Sequence, residues 1–199
     1  VILTGYTPGH NCLVLGAPRS GTHALASIIQ SRLPFKYLGE IGMAQKSSRP
    51  WFDLGIFTES HDMPRLAHVV QSRAKLGALQ LVEKIKINTF VIALRRRDKG
   101  KQFASWIYFR HIGAIYNFDH GGQDYVGPDT LTVTYDDIEQ FIVDQIIDDQ
   151  FDPNLIMYYE DIDFGASVIK KNSYCFPPEQ MIKNIDLVKE ALQHWRYNT

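Results

Sequence analysis

The stretch Asn11-Cys12-Leu13-Val14-Leu15-Gly16-Ala17-Pro18-Arg19-Ser20-Gly21-Thr22-His23 decides how this chain is read. Its first five residues form a short apolar run that stops at Gly16, the pattern of a buried parallel strand. From Gly21 to Ile29, Ala and Leu recur at helical spacing. Strand, glycine turn and helix therefore follow one another without a gap. Glycines let successive backbone N–H groups curl round an anion, and the helix that begins near Gly21 points the positive end of its dipole at the same place. A plain turn with a surface Arg is the competing reading, and the strand and helix on either side count against it.

Outward from this segment the unit repeats. Phe90-Val91-Ile92-Ala93-Leu94 predicts a second buried strand, followed by Arg95-Arg96-Arg97 and then Asp98, an N-cap for a helix through about Phe109. A third apolar run, Leu155 to Tyr158, ends in Tyr159-Glu160-Asp161, while Lys36 to Gly39 and Ile56 to Thr58 read as shorter strands. Helices are expected over Met63 to Lys75, Leu79 to Lys86, Asp136 to Asp149 and Pro178 to Trp195, the last opening with Pro and Glu as helix N-termini do. Strands alternating with helices predict an α/β chain: a three-layer, P-loop-type fold with a central parallel sheet flanked by helices.

Composition bounds the partners. The 199 residues are 45% hydrophobic and 22% charged, which suits one domain spanning 1–199 and excludes disorder and fibres. With 21 basic and 22 acidic residues the formal net charge is −1, so no global field recruits nucleic acid or an anionic membrane. Any anion site must be local. Cys12 and Cys175 make no disulfide framework, and no apolar run reaches membrane-spanning length. The first residues lack the basic and apolar regions of a signal peptide, so the expectation is a cytoplasmic protein without membrane insertion.

The two glycines of the loop stand at the spacing of a nucleotide P-loop. The nucleotide-triphosphatase form places Lys after the second glycine and a Ser or Thr on Mg²⁺ next to it. Here Thr22 and His23 occupy those places, and the cationic side chain lies inside the loop at Arg19. An ATP-splitting machine is thereby disfavoured.

With Pro18-Arg19-Ser20-Gly21-Thr22 in view, the chain resembles the sulfotransferase superfamily, whose members carry such a loop around the 5′-phosphosulfate of 3′-phosphoadenosine-5′-phosphosulfate (PAPS). LVLGAPRSGTHALASII is close to the form in tyrosylprotein and bacterial glycolipid sulfotransferases. In that family a strand-end Arg and a Ser eight residues later share the 3′-phosphate, and in VIALRRRDKGKQFASW the matching positions are Arg97 and Ser105. Two helical turns separate such a pair, so both reach one phosphate if the helix runs beside it. LIMYYEDI is similar to a third family segment, which implies that Tyr159 contacts the adenine while Glu160 and Asp161 brace loops. A core-rim Tyr is the plainer alternative. The resemblance implies donor contacts from Pro18, Arg19, Ser20, Gly21, Thr22, His23, Arg97, Ser105 and Tyr159, within a donor-binding core of about 11–163. The remaining loop and helix, 164–199, lack the basic, glycine-containing clamp of the cytosolic members. Lys170 and Lys171 are the C-terminal candidates, Lys171 as the contact, with a solvated pair as the alternative. Arg95 and Arg96 read as sheet-edge or acceptor-facing charges.

Sulfuryl transfer to an alcohol needs a general base and groups that absorb charge on the leaving phosphate. Arg19, the loop N–H groups and the Ser20 and Thr22 hydroxyls supply the second requirement. No HExxH, CxxC or clustered carboxylates suggest a metal, and none is expected. Two residues compete as base. Glu40, in YLGEIG, lies 21 residues after Arg19, similar to the glutamate of the resembling branch; His61, in TESHDMP, is similar to the histidine segment of cytosolic members. A histidine, ordinarily near 6.5, needs less adjustment than a glutamate near 4.3, yet loop and spacing both favour Glu40.

His10, His23, His68, His111, His120 and His194 show no paired spacing and read mostly as surface or cap residues; Trp106, Tyr108 and Phe109 are an acceptor platform or, more simply, core. The alternatives to sulfuryl transfer from PAPS, with PAP as product, are a nucleotide kinase-like phosphotransferase and a silent nucleotide-binding or assembly module. The acceptor is a hydroxyl of a small molecule, glycan or peptide, met by loops around 42–53 and 119–135; composition selects none of these, nor the oligomeric state.

Overall fold

The computed structural model describes residues 3–41, 57, 62–70, 88–108, 110, 130–149, 152–163, 180 and 182–198. They form two compact units, Val1–Arg97 with Asp144–Ile169, and Asp98–Val143 with Lys170–Thr199.

The first unit holds five strands, β1 (Asn11–Gly16), β2 (Lys36–Glu40), β3 (Arg65–Val70), β4 (Thr89–Arg95) and β5 (Leu155–Tyr158), in the order β2-β3-β1-β4-β5. Every pairing is parallel. Helix α1 (Thr22–Arg32) joins β1 to β2 and so steps over the place that β3 fills. This is the α/β arrangement of a P-loop-type fold, with all strand C-termini along one edge, where ligands of open parallel sheets bind.

Strand parity sorts the core into two faces. Cys12, Val14, Leu66, Phe90, Ile92 and Leu94 pack with Leu25, Ala26, Ile28 and Ile29 of α1, while Leu13, Leu15, Ala67, Val69 and Val91 pack with Ile41 and Phe57 on the opposite face. Two asparagines fasten strand starts. Asn11 Nδ2 donates to the Phe57 carbonyl (2.7 Å) and its Oδ1 accepts from Arg65 N (2.8 Å); Asn154 Oδ1 accepts from Val91 N (2.8 Å).

Residues 65–70 correct the sequence reading. A helix was expected over 63–75, and Arg65–Val70 is instead the strand between β1 and β2. A strand buried on both faces loses its polar alternation, so the adjacent pairs Leu66-Ala67 and Val69-Val70 mimic helical spacing. Phe57, expected in a short strand, has helical backbone and is fully buried. The helix expected over 79–86 lies outside the described residues.

The second unit contains α2 (Lys99–Tyr108), α3 (Tyr135–Asp149) as far as Val143, and α4 (Ile185–Asn198); of the helix expected from Pro178, Gln180 has helical backbone, Ile182 to Asn184 do not, and 178–179 lie outside the described residues. Asp98 caps α2 as expected, its Oδ1 accepting from Lys101 N at 2.9 Å. Thr134 and Asp137 cap α3 reciprocally: Asp137 N donates to Thr134 Oγ1 (3.2 Å), and Thr134 N donates to Asp137 Oδ2 (3.1 Å). Phe103, Trp106, Tyr108, Phe141, Val188 and Leu192 form its core. Trp106 and Tyr108 are therefore core residues and not an open acceptor platform.

Candidate functional site

The turn from β1 to α1 is shaped around backbone that no larger residue would tolerate. A Cβ on Gly16 would meet the Ser20 hydroxyl and would lie 2.8 Å from both the Leu94 carbonyl oxygen and Thr22 Cγ2. Ser20 N donates to the Ala17 carbonyl (3.1 Å), tightening the turn. Arg19 has φ 64° and Gly21 φ 98°, both left-handed. For Arg19 that conformation costs about 1–2 kcal/mol, a strain that persists where the surroundings impose it.

The N-terminus of α1 opens from this turn with no acidic residue in its first turn, so its unpaired N–H groups and positive dipole end are not neutralised from within the helix. Ser20 is 1% exposed, and its Oγ has no hydrogen-bond partner among the described residues. A buried hydroxyl left so costs about 1–3 kcal/mol. An anionic oxygen in the cradle would accept from it. Thr22 is buried beside it, while Pro18 and Arg19 are half-buried.

Across the loop stands the end of β4 with the turn after β5. The Tyr159 ring approaches so closely that a Cβ on Gly21 would sit 2.6 Å from its Cδ2, and the Arg96 guanidinium lies over that ring, 4.2 Å from the centroid. Arg96 Nη1 also reaches the Arg19 carbonyl at 3.4 Å. Arg96, read from sequence as an edge or acceptor-facing charge, thus braces the loop together with Tyr159.

Arg97 meets a fork. Its Nη1 and Nη2 face Asp161 Oδ1 and Oδ2, the second contact at 2.7 Å, while its backbone N donates to Glu160 Oε2 (3.1 Å). The guanidinium also lies 4.1 Å from the Tyr158 ring centroid. The hydrogen bond from Arg97 holds the Asp161 carboxyl below an aspartate's ordinary value, and the same bond raises Arg97. Glu160 and Asp161 do brace, and what they brace is Arg97. Ser105 lies half-buried on α2 in the second unit, so its convergence with Arg97 rests on their spacing alone.

Glu40 ends β2. Its Oε2 lies 3.9 Å from His68 Nε2, and the Tyr37 hydroxyl lies 2.8 Å from His68 Nδ1. His23, the second residue of α1, stacks on the His68 ring with centroids 5.4 Å apart and planes 2° from parallel. His68 is 5% exposed on β3. The sequence reading treated it as a surface or cap residue, because the pattern that hid β3 also hid its histidine. Burial, with the Glu40 charge second, pushes the Tyr37 hydroxyl up to about 12. His61 and Lys171, with Lys170, lie outside the described residues.

Among the described residues no group of three or more His, Cys, Asp or Glu is placed to hold a metal ion, and no helix is long and apolar enough to cross a membrane. Burial raises the Cys12 thiol to about 12.

No family model and no curated protein matches the chain. Solved structures that match include an unliganded sugar kinase from Janibacter sp. HTCC2649, with 11% identity over 94% of this chain and 98% of that one, and TM-score 0.37. Another is a protein described as APE1195, at 12% identity, covering 92% of this chain and 96% of that one, also with TM-score 0.37. The fold assignment rests on the strand order and not on these likenesses.

Proposed function

We propose that the chain is a transferase that moves an anionic group from a 5′-phosphorylated nucleotide to a hydroxyl, with PAPS as donor and sulfuryl as the group. The observation that carries the reading is the cradle at Gly16–Thr22, with its buried Ser20 hydroxyl and open helix end, linked through His23 to the Glu40–His68 pair. In this scheme the acceptor oxygen forms a bond to sulfur as the sulfur–oxygen bond to the 5′-phosphate breaks. Glu40 takes the hydroxyl proton, and Arg19 with the loop N–H groups absorbs charge on the departing phosphate. Pro18, Gly21, Thr22 and His23 complete the loop side. Arg97 and Tyr159 hold the nucleoside end, and Ser105, Lys171 and the rival base His61 keep the roles that the resemblance suggests. A cytoplasmic setting belongs to the same reading.

The donor residues fit unevenly. The loop suits a 5′-phosphate, whereas a 3′-phosphate must displace Asp161 from Arg97 or share the guanidinium with it. That pairing favours a second reading, a phosphotransferase whose nucleotide has no 3′-phosphate. Thr22 and His23, where a triphosphatase loop has Lys and Ser or Thr, weigh against it.

Calorimetric titration separates the two. PAP binding at least tenfold tighter than AMP or ADP supports PAPS as donor; Mg²⁺-dependent ATP binding with no preference for PAP supports phosphoryl transfer. Binding of neither removes both readings. With a competent acceptor, Glu40→Gln is expected to lower turnover by about 10²–10⁴-fold while donor affinity holds. Turnover that survives would move the base to His61.

A further inference from the structure

We propose that His68 is a positioning residue for Glu40: the Tyr37 hydroxyl holds its ring in the tautomer that presents Nε2–H to the Glu40 carboxylate. The inference rests on the reading of Glu40 as base for its catalytic meaning, and on geometry alone for its structure.

The geometry begins with one residue too many. Tyr37 pairs with Leu66 and Glu40 with His68, so three steps along β2 match two along β3. In a regular strand Tyr37 and Glu40 would point to opposite faces. The extra residue restores them to one face, and Gly39, at φ 83°, supplies the left-handed backbone that the irregularity requires. A Cβ on Gly39 would meet nothing within 4 Å, so its glycine is explained by conformation and not by crowding. Leu38 and Ile41 on either side pack on the opposite face, which confirms the parity. The bulge thus brings a phenol and a carboxylate to the two nitrogens of one buried imidazole.

The order of donors follows. The Tyr37 hydroxyl can donate or accept, whereas the Glu40 carboxylate beside Nε2 can only accept; a neutral ring therefore places its proton on Nε2, and the bare Nδ1 accepts from Tyr37. At 3.9 Å the Nε2–H acts on Glu40 as an oriented dipole and not as a hydrogen bond. The groups placed against the ring are Tyr37 and Glu40 from β2 and His23 stacked from α1, with Val14 as backbone register partner on β1. Glu40 is the outer member, its side chain 23% exposed against 7% for His68, so an acceptor reaches the carboxylate and not the imidazole.

The test is two-bond ¹H–¹⁵N correlation NMR of the histidine rings in the full chain. His68 is assigned by the loss of its signals in His68→Gln or, if that variant does not fold, by its contacts with Tyr37 ring protons. The expected spectrum shows a bare Nδ1 and a protonated Nε2 at neutral pH, a move toward mixed tautomers in Tyr37→Phe, and a displaced Nε2 signal in Glu40→Gln. A protonated Nδ1 in the wild type, or an Nε2 signal indifferent to Glu40→Gln, overturns the proposal. In radiolabelled transfer from PAPS, Tyr37→Phe is expected to lower kcat about tenfold with donor KM unchanged, part of the larger base effect; equal loss in both, or none, also overturns it. PAP binding that fails while the tautomer is as described removes the sulfuryl reading and leaves the positioning intact.

Discussion

The ends of β1 and β4, neighbours in the sheet, treat positive charge in opposite ways. After β1 the chain builds a tight cradle, opens a helix end into it and buries the Ser20 hydroxyl, yet supplies no acidic residue in the first turn of α1. At the end of β4 it sets out three arginines, Arg95 closing the strand with Arg96 and Arg97 after it; Asp161 grips Arg97, and Tyr159 lies beneath Arg96. The first region has no acidic residue in its helix turn, while the second already holds a carboxylate from within. A donor with phosphates at both ends would therefore find one site ready and would have to open the other.

The largest effect is expected where the cradle has no slack. Gly16→Val forces a side chain against the Leu94 backbone and should cost about 1–3 kcal/mol or more in urea unfolding, with loss of PAP binding in the same titration. A variant as stable as wild type that still binds would reduce the cradle to an ordinary turn. Asp161→Asn should make the β4 end resemble the β1 end: PAP affinity is expected to rise about tenfold, the equivalent of 1.4 kcal/mol, with AMP affinity unchanged. No change in PAP affinity would separate Arg97 from the donor. The pH arm has a definite sign. Because the Asp161 carboxyl is lowered, its pairing is complete above an aspartate's ordinary pKa and is lost only as pH falls through the lower folded value, so wild-type PAP affinity should not change between pH 6 and 8 through this pair.

Ser20→Ala is the smallest and the most particular. Removing a buried hydroxyl without a partner among the described residues should leave unfolding stability equal to wild type or raise it by about 1 kcal/mol, while PAP affinity falls several-fold. Loss of both stability and affinity would mean that the hydroxyl serves the fold and not the ligand.

The β1–loop–α1 segment, β4 and the Asp98 cap were legible because each is local: an apolar run, a glycine or an Asp at the right place, and helical spacing. Arg65–Val70 was not, since a strand with neighbours on both sides and packing on both faces has no polar alternation to read. With it went His68. One signal was there to find: Gly39, inside a strand pattern, points to a bulge, and a bulge changes which side chains share a face. The Arg97–Asp161 fork left no such mark. The partners are 64 positions apart, and nothing in either segment names the other.

Strand order also sets when the site can exist as the chain folds. β1 and α1 adjoin in sequence, so the turn between them is local, while its bracing by Arg96 and Tyr159 waits on β4 and β5. Glu40 lies on an edge strand whose sheet partner is β3, and β3 must first enter the gap between β2 and β1. Closing that longer loop is the slower, entropically costlier event. The Glu40–His68 pair therefore exists only once six residues, Arg65–Val70, have been inserted between β2 and β1.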